Sequence, residues 1–250
     1  MIRLAALSGL CLCLSLLTAC AADNGVSSYK EPVRRYANAD IEEKAREQFV
    51  VYDPIEGTNR GIYKFNAKFD RYIFLPIVDG YDFVVPDYVD DRISSFFSNL
   101  GEFGNVTNSA LQGKPYKAFT GIGRFAVNST VGLLGLYDPA SEIGIKEHTE
   151  DFGQTLGAWG VGPGAYIVLP VLGPSSVRDT VGMVADAVAF SLVVPNHIED
   201  ETAYKVVQYG IKPVNTRANN DFRYHETGSP FEYELVRFVT TEGRRLAVME

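Results

Sequence analysis

The chain has 250 residues, 46% of them hydrophobic and 22% charged, enough to bury a sizeable core in one domain or at most two. Its formal net charge of −8, with no run of Lys or Arg, argues against a general nucleic-acid binder and against a polybasic membrane patch. Any attachment to a membrane is therefore expected to be lipidic or apolar.

Cys11, Cys13 and Cys20 all fall at the start of the chain. Arg3 followed by the apolar run 4–17 reads as an export signal over residues 1–19. At about 14 residues the run is too short for an ordinary membrane span of about 20. Leu17-Thr18-Ala19-Cys20 looks like a bacterial lipobox, in which the chain is cut before the cysteine and the thiol takes diacylglycerol. Ala21, where an Asp would favour inner-membrane retention, favours delivery to the outer membrane. After cleavage Cys20 is consumed by lipid, which leaves no thiol for a disulfide or a metal within a chain. Residues 20–48 are polar and charged and read as a flexible tether, with residues 49–250 as the folded, helical domain.

Order is expected from Asp53-Pro54-Ile55-Glu56. Ile62, Phe65, Phe69, Tyr72 and Ile73 follow at helical spacing with Lys64, Lys68 and Arg71 between them, an amphipathic helix ended by Pro76. A stripe of this kind usually packs in a core, and membrane contact is its alternative. Residues 80–86 read as a connector, extended before Pro86. Pro86 then opens a helix with Val89, Ile93, Phe96, Phe97 and Leu100 on one face and a stop at Gly101. A short helical piece over 105–111 precedes a longer helix over 119–131, where Gly121 and Gly123 would let a neighbour approach. Gly132-Leu133-Leu134-Gly135-Leu136-Tyr137 is an apolar loop or hairpin able to bend at both glycines, and it is less polar than a plain connection.

The stretch 151–182 organises the rest. Gly157, Gly160, Gly162 and Gly164 alternate with apolar residues, and Pro163, Pro170 and Pro174 remove donors and fix φ. A kinked apolar segment results, whose Tyr166, Ile167, Val168, Leu169, Val171 and Leu172 need cover from other elements or from lipid. A buried loop and strand would meet the same need. Helices are expected over 181–194, 198–209 and 231–239. No later stretch reaches 18 uninterrupted apolar residues, so no transmembrane helix is expected, although shorter apolar pieces would fit one leaflet. With little strand alternation, the fold class is mostly α, a compact helical domain with irregular Gly/Pro-rich apolar connections.

Signs of chemistry are weak. His148, Glu150 and Asp151 lie together, but HExxH is absent, and a capping or hydrogen-bonding role is preferred to a metal or acid–base site. Ser175-Ser176 is no nucleophile elbow. Arg124 and Arg178-Asp179 read as structural ion pairs or polar caps. No catalytic residue, metal or cofactor is expected.

Four segments stand in order behind the lipobox: DPIEGTNRGIYKFNAKFDRY, FFSNLGEFGNVTNSALQGK, GRFAVNSTVGLLGLYDPAS and EDFGQTLGAWGVGPGAYIVLPVLGPSSVRDTVG. Together they resemble the MlaA/VacJ family of outer-membrane lipoproteins over roughly residues 53–188. The resemblance implies a ring-like helical fold in the inner leaflet of the outer membrane around an amphipathic channel, without enzymatic activity. It implies lipid anchoring on the periplasmic side and passage of misplaced outer-leaflet phospholipids to a soluble periplasmic phospholipid carrier, which preserves lipid asymmetry. It also implies association with a trimeric outer-membrane porin. Residues 132–137 correspond to the family's flexible hairpin near the channel, where Gly132 and Gly135 would let the loop gate lipid entry; packing or turn roles for these glycines are the alternative. Trp159, Tyr166, Tyr72 and Phe97 suit a membrane interface, and core packing accounts for them equally. The competing reading is a structural, porin-associated lipoprotein without transport.

Overall fold

The computed structural model describes residues 51–193, 201–226 and 228–250. The expected signal segment, Cys20 and the tether over 20–48 lie outside the described residues.

The first helix does not end at its proline. α1 (Glu56–Phe69) passes through a wide π turn (Asp70–Phe74) into α2 (Leu75–Val84). A proline inside a helix has no N–H, and its ring presses on the carbonyl four residues back. The wide turn makes room: the Leu75 N–H reaches back five residues to the Asp70 carbonyl, immediately ahead of Pro76. The expected break at Pro76 and connector over 80–86 are therefore helix as far as Val84.

α3 (Asp87–Leu111) runs unbroken through Gly101, where a stop was expected, and absorbs the short piece over 105–111. Its interior glycines cost about 1 kcal/mol each in helix propensity, and the helix is held by packing instead. Gly113, at φ 71°, turns the chain into α4 (Pro115–Thr130). The two helices meet at Gly121, where a Cβ would come within 2.7 Å of Val106 Cγ2. Gly123, expected to help, has open space around it.

Beyond the short α5 (Pro139–Glu142), the organising stretch is a helix, a hairpin and a helix. α6 (Phe152–Ala158) is capped by the Asp151 carboxylate, which accepts from the Gln154 N–H at 2.9 Å. β1 (Tyr166–Leu169) pairs antiparallel with β2 (Gly173–Ser176), with Tyr166 opposite Ser176 and Leu169 opposite Gly173. α7 (Val177–Val193) follows directly and crosses α6 where a Cβ on Gly182 would collide with the Gly153 backbone.

The last helices repeat the first device. α8 (Thr202–Val206) continues through a π turn (Val207–Ile211) into α9 (Lys212–Ala218), and the Lys212 N–H reaches the Val207 carbonyl ahead of Pro213. The helix expected over 198–209 thus runs on to Ala218. α10 (Glu232–Met249) also outruns its expected end.

Burial is inverted relative to a water-soluble protein. The apolar core is a small cluster of Tyr63, Tyr166, Val168 and Tyr233. Most other buried side chains are polar or charged. On α1 the buried face is Asn59, Tyr63, Asn66 and Ala67, continued by Asp70, while Phe65, Tyr72 and Ile73 are about half exposed. Of the stripe expected in the core, Phe65, Tyr72 and Ile73 face outward while Ile62 packs against the core cluster, and the hairpin explains the inversion. Asn59 Nδ2 donates to the Tyr166 carbonyl at 3.0 Å, and Asn59 Oδ1 accepts from the Val168 N–H at 2.9 Å. One turn-pair later Asn66 Nδ2 donates to the Leu169 carbonyl at 2.9 Å, and its Oδ1 accepts from the Val171 N–H at 2.8 Å. The two amides act as a third strand for the free edge of β1, whose buried backbone groups need partners. α4 has the same inversion: Ala118, Gly121, Arg124 and Asn128 point in, while Tyr116, Phe119, Ile122 and Phe125 point out. An ordinary surface helix has its faces the other way round.

Candidate functional site

α3, α6, α7 and the second π turn with Lys212 surround a cavity of about 460 Å³. Phe103 and Leu111 of α3, Phe152 of α6, and Ala189 and Phe190 of α7 form apolar walls. Gly101 and Gly104 also line it, and a Cβ on either would meet nothing within 4 Å. Their lack of a side chain widens the cavity and serves no packing contact.

The charges in this cavity are not equally engaged. Asp186 accepts from Asn108 Nδ2 at 3.0 Å and from the Phe152 N–H at 2.8 Å. Glu150 is held by Lys117 at 2.7 Å and Gln112 at 2.8 Å. Lys212 has aromatic neighbours: its ammonium lies 5.7 Å from the Phe97 ring centre and 6.0 Å from that of Phe190. Burial lowers its pKa from the ordinary lysine value. Apolar walls with a few convergent polar groups suit an amphipathic ligand.

A second site pins the loop after α4. Arg124 and Glu102, each 1% exposed, pair at 2.6 Å. Arg124 also donates to Asp138 Oδ2 at 3.0 Å, Ser141 Oγ at 3.0 Å and the Ile145 carbonyl at 2.6 Å. Burial opposes the guanidinium charge, but Glu102 and Asp138 outweigh it and hold the pKa above the usual arginine value. Asp138 is pushed down to about 2: burial opposes its charge, but bonds from Ser141, Asn128 and Arg124 prevail. This network is the structural ion pairing expected of Arg124.

The loop itself is tightly built. A Cβ on Gly132 would collide with the carbonyl oxygens of Asn128 and Tyr137, and one on Gly135, at φ 90°, would come within 2.6 Å of the Asn99 amide. Neither position has room for a Cβ. Leu133 and Leu134 take φ of 52° and 61°, a left-handed conformation costing roughly 1–2 kcal/mol per residue. They and Leu136 are exposed. Tyr137 closes the loop against α3, its hydroxyl 2.6 Å from that of Tyr88 and its ring 4.5 Å from the Arg92 guanidinium.

The aromatic candidates separate. Tyr166 is 2% exposed, so it belongs to the core and not to an interface; strand alternation turns it and Val168 toward Tyr63 and Tyr233. Tyr72 is exposed on the π turn that follows α1. Trp159 is exposed too, with its ring N–H donating to the Leu111 carbonyl at 3.0 Å. Phe97 is half-buried beside Lys212. Lys212, Phe190 and the cavity-lining glycines escape sequence reading. The available signals were Asp186 inside an apolar run and Lys212 just before a proline.

The polar cluster near α6 is divided among separate tasks. Asp151 caps that helix and binds Arg244 at 2.6 Å and 2.8 Å, and Arg244 also reaches Asp179 at 3.0 Å. Burial, Lys117 and Lys146 lower the His148 pKa. Among the described residues no group of three His, Cys, Asp or Glu is placed to hold a metal ion, and no helix is long and apolar enough to cross a membrane.

The profile of the MlaA lipoprotein family matches residues 51–246. A protein of Rickettsia prowazekii is 36% identical over 172 residues, 69% of this chain and 60% of its own length. The intermembrane phospholipid transport system lipoprotein MlaA of Haemophilus influenzae is 35% identical over 172 residues, 67% of each chain. The protein of the same name from Escherichia coli is 39% identical over 138 residues, 54% of this chain and 55% of its own. A solved structure, described as the structural basis for maintenance of bacterial outer membrane lipid asymmetry, aligns with a TM-score of 0.65 at 29% identity, covering 79% of this chain and 100% of that one. The chain spans between 51% and 60% of the length of the Rickettsia relatives it matches.

Proposed function

The chain belongs to the MlaA lipoprotein family, and we propose that it removes misplaced phospholipids from the outer leaflet of the outer membrane and passes them to a soluble periplasmic carrier. The observation that carries this reading is the inverted burial. Phe65, Tyr72, Ile73, Phe119 and Ile122 face outward around buried Asn, Arg and Glu side chains. Exposed apolar area on this scale calls for cover. Helices that complete their own backbone hydrogen bonds are suited to a place among acyl chains, and a leaflet supplies the cover without a spanning helix. The cavity beside α3 and α7 then offers a phospholipid apolar walls for its chains and polar groups for its head.

In this reading residues 1–19 are a signal peptide, Cys20 carries the lipid, and 20–48 tether the helical domain of 49–250 to the periplasmic side of the outer membrane. Trp159 and Tyr72 lie at the lipid interface. The loop over 132–137 forms a rim of the lipid route; any movement there turns about the whole loop, because Gly132 and Gly135 are packed. A trimeric outer-membrane porin covers part of the apolar face, and no catalytic turnover is involved.

The test is the outer-leaflet phospholipid content of cells lacking this protein. Its rise should be reversed by the intact chain and not by Cys20→Ser. An unchanged outer leaflet with an intact porin would leave the structural, porin-associated reading in its place.

A further inference from the structure

We propose that Lys212 is the head-group anchor of the cavity, its ammonium binding the phosphate of a phospholipid whose acyl chains lie along Phe103, Phe152 and Phe190. The inference rests on the transport reading above and names the group that would select the cargo.

Three observations meet at this residue. The first is an imbalance of partners. Glu150 and Asp186, the carboxylates lining the cavity, are already hydrogen-bonded within the protein. Lys212 has two phenylalanine faces and no carboxylate partner among the described residues. Lys212 is half-buried; removing part of an ammonium's hydration without supplying an anion has a cost, which a phosphate would offset through a charge-assisted hydrogen bond. The second is placement. Lys212 follows directly on the π turn and precedes Pro213, so a local backbone device sets it at the cavity wall. The third is space. Gly101 and Gly104 carry a helix-propensity cost and satisfy no contact, and they leave room along α3 for a chain-bearing ligand.

The ligand class follows from this chemistry. Two aromatic rings and an apolar wall beside the cation disfavour a small hydrated anion and favour a phosphate that brings hydrocarbon with it. Diacylglycerol has the hydrocarbon and lacks the phosphate; glycerol 3-phosphate has the phosphate and lacks the hydrocarbon.

The full-length lipidated protein in detergent micelles should be offered phosphatidylethanolamine, phosphatidylglycerol and diacylglycerol, with bound lipid counted by mass spectrometry. The intact protein is expected to retain either phospholipid over diacylglycerol by about tenfold or more, the scale of one charge-assisted bond. Lys212→Met should bring the ratio close to one, Lys212→Gln should do the same, and Lys212→Arg should keep most of the preference. Melting temperatures of the neutral variants should not fall, since a half-buried charge without a carboxylate partner among the described residues has been removed. Unchanged preference in both folded neutral variants would overturn the assignment of Lys212 and leave the transport reading standing. Displacement of bound phospholipid by equimolar glycerol 3-phosphate would overturn it by showing a site for soluble phosphate. An intact protein that retains neither phospholipid would defeat the transport reading, and the anchor with it.

Discussion

Replacing Gly101 and Gly104 is expected to move stability and transport in opposite directions. Both lie inside α3, and both line the cavity with open space where a Cβ would stand. Alanine at each position should therefore gain about 1 kcal/mol in helix propensity without a clash, or about 2 kcal/mol for the pair. For a domain of this size that is a rise in melting temperature of about 4–8 °C. Leucine has nearly the helix propensity of alanine, so the pair Gly101→Leu and Gly104→Leu should keep most of the gain. It also puts two branched side chains into a cavity of about 460 Å³. Thermal unfolding followed by circular dichroism reads the first effect, and labelling of outer-leaflet phospholipid in complemented cells reads the second. The alanine pair should melt higher and clear lipid nearly normally. The leucine pair should melt higher and clear poorly at equal abundance. Normal clearance by the leucine pair would refute this cavity as the lipid route, and a lower melting point for the alanine pair would refute the reading of the space around α3.

Asn59→Ala removes both bonds to β1 and leaves the Tyr166 carbonyl and the Val168 N–H unpaired, a loss of about 2–5 kcal/mol in urea unfolding. Phe65→Ser on the outer face of the same helix should change that stability by no more than about 0.5 kcal/mol and weaken binding to phospholipid vesicles. Gly135→Ala should destabilise by about 1–3 kcal/mol through its collision with Asn99 and should sensitise the loop to protease, while Gly123→Ala, with open space around it, should not. Acid should unfold the protein as carboxylates protonate. The Asp138 pKa is depressed to about 2 from 3.8, and those of Asp151 and Asp179 are depressed as well, Arg244 outweighing burial at both. A depressed carboxylate stabilises fully above its unfolded value and loses that contribution as pH falls through the folded one. The urea midpoint should drop between about pH 4 and pH 2. Asp138→Asn should lower the midpoint at neutral pH and flatten that dependence; an unaltered acid limb would remove Asp138 from the account.

Much of the helical content is legible because apolar spacing is local. The helices around Phe65, Phe97, Phe119 and Val188 all stand where their periodicity puts them. Their ends are less legible. Pro76 and Gly101 carry the usual marks of a break, and neither breaks its helix. A π turn absorbs Pro76 one residue early, and packing against α4 carries α3 through Gly101. Neither remedy is written at the residue itself.

By itself the sequence determined that each helix has two unlike faces, that its loops are apolar and rich in glycine, and that Asn59 and Asn66 share a face seven residues apart. Tertiary structure alone decided which face is inside. Periodicity is the same for a helix burying apolar residues away from water and for one burying polar residues away from lipid. The choice was made where Asn59 and Asn66 met the open edge of β1 and where Arg124 met Glu102. Buried backbone and charged groups must be paired, and once the polar faces turned inward to pair them, the aromatic faces were left outside.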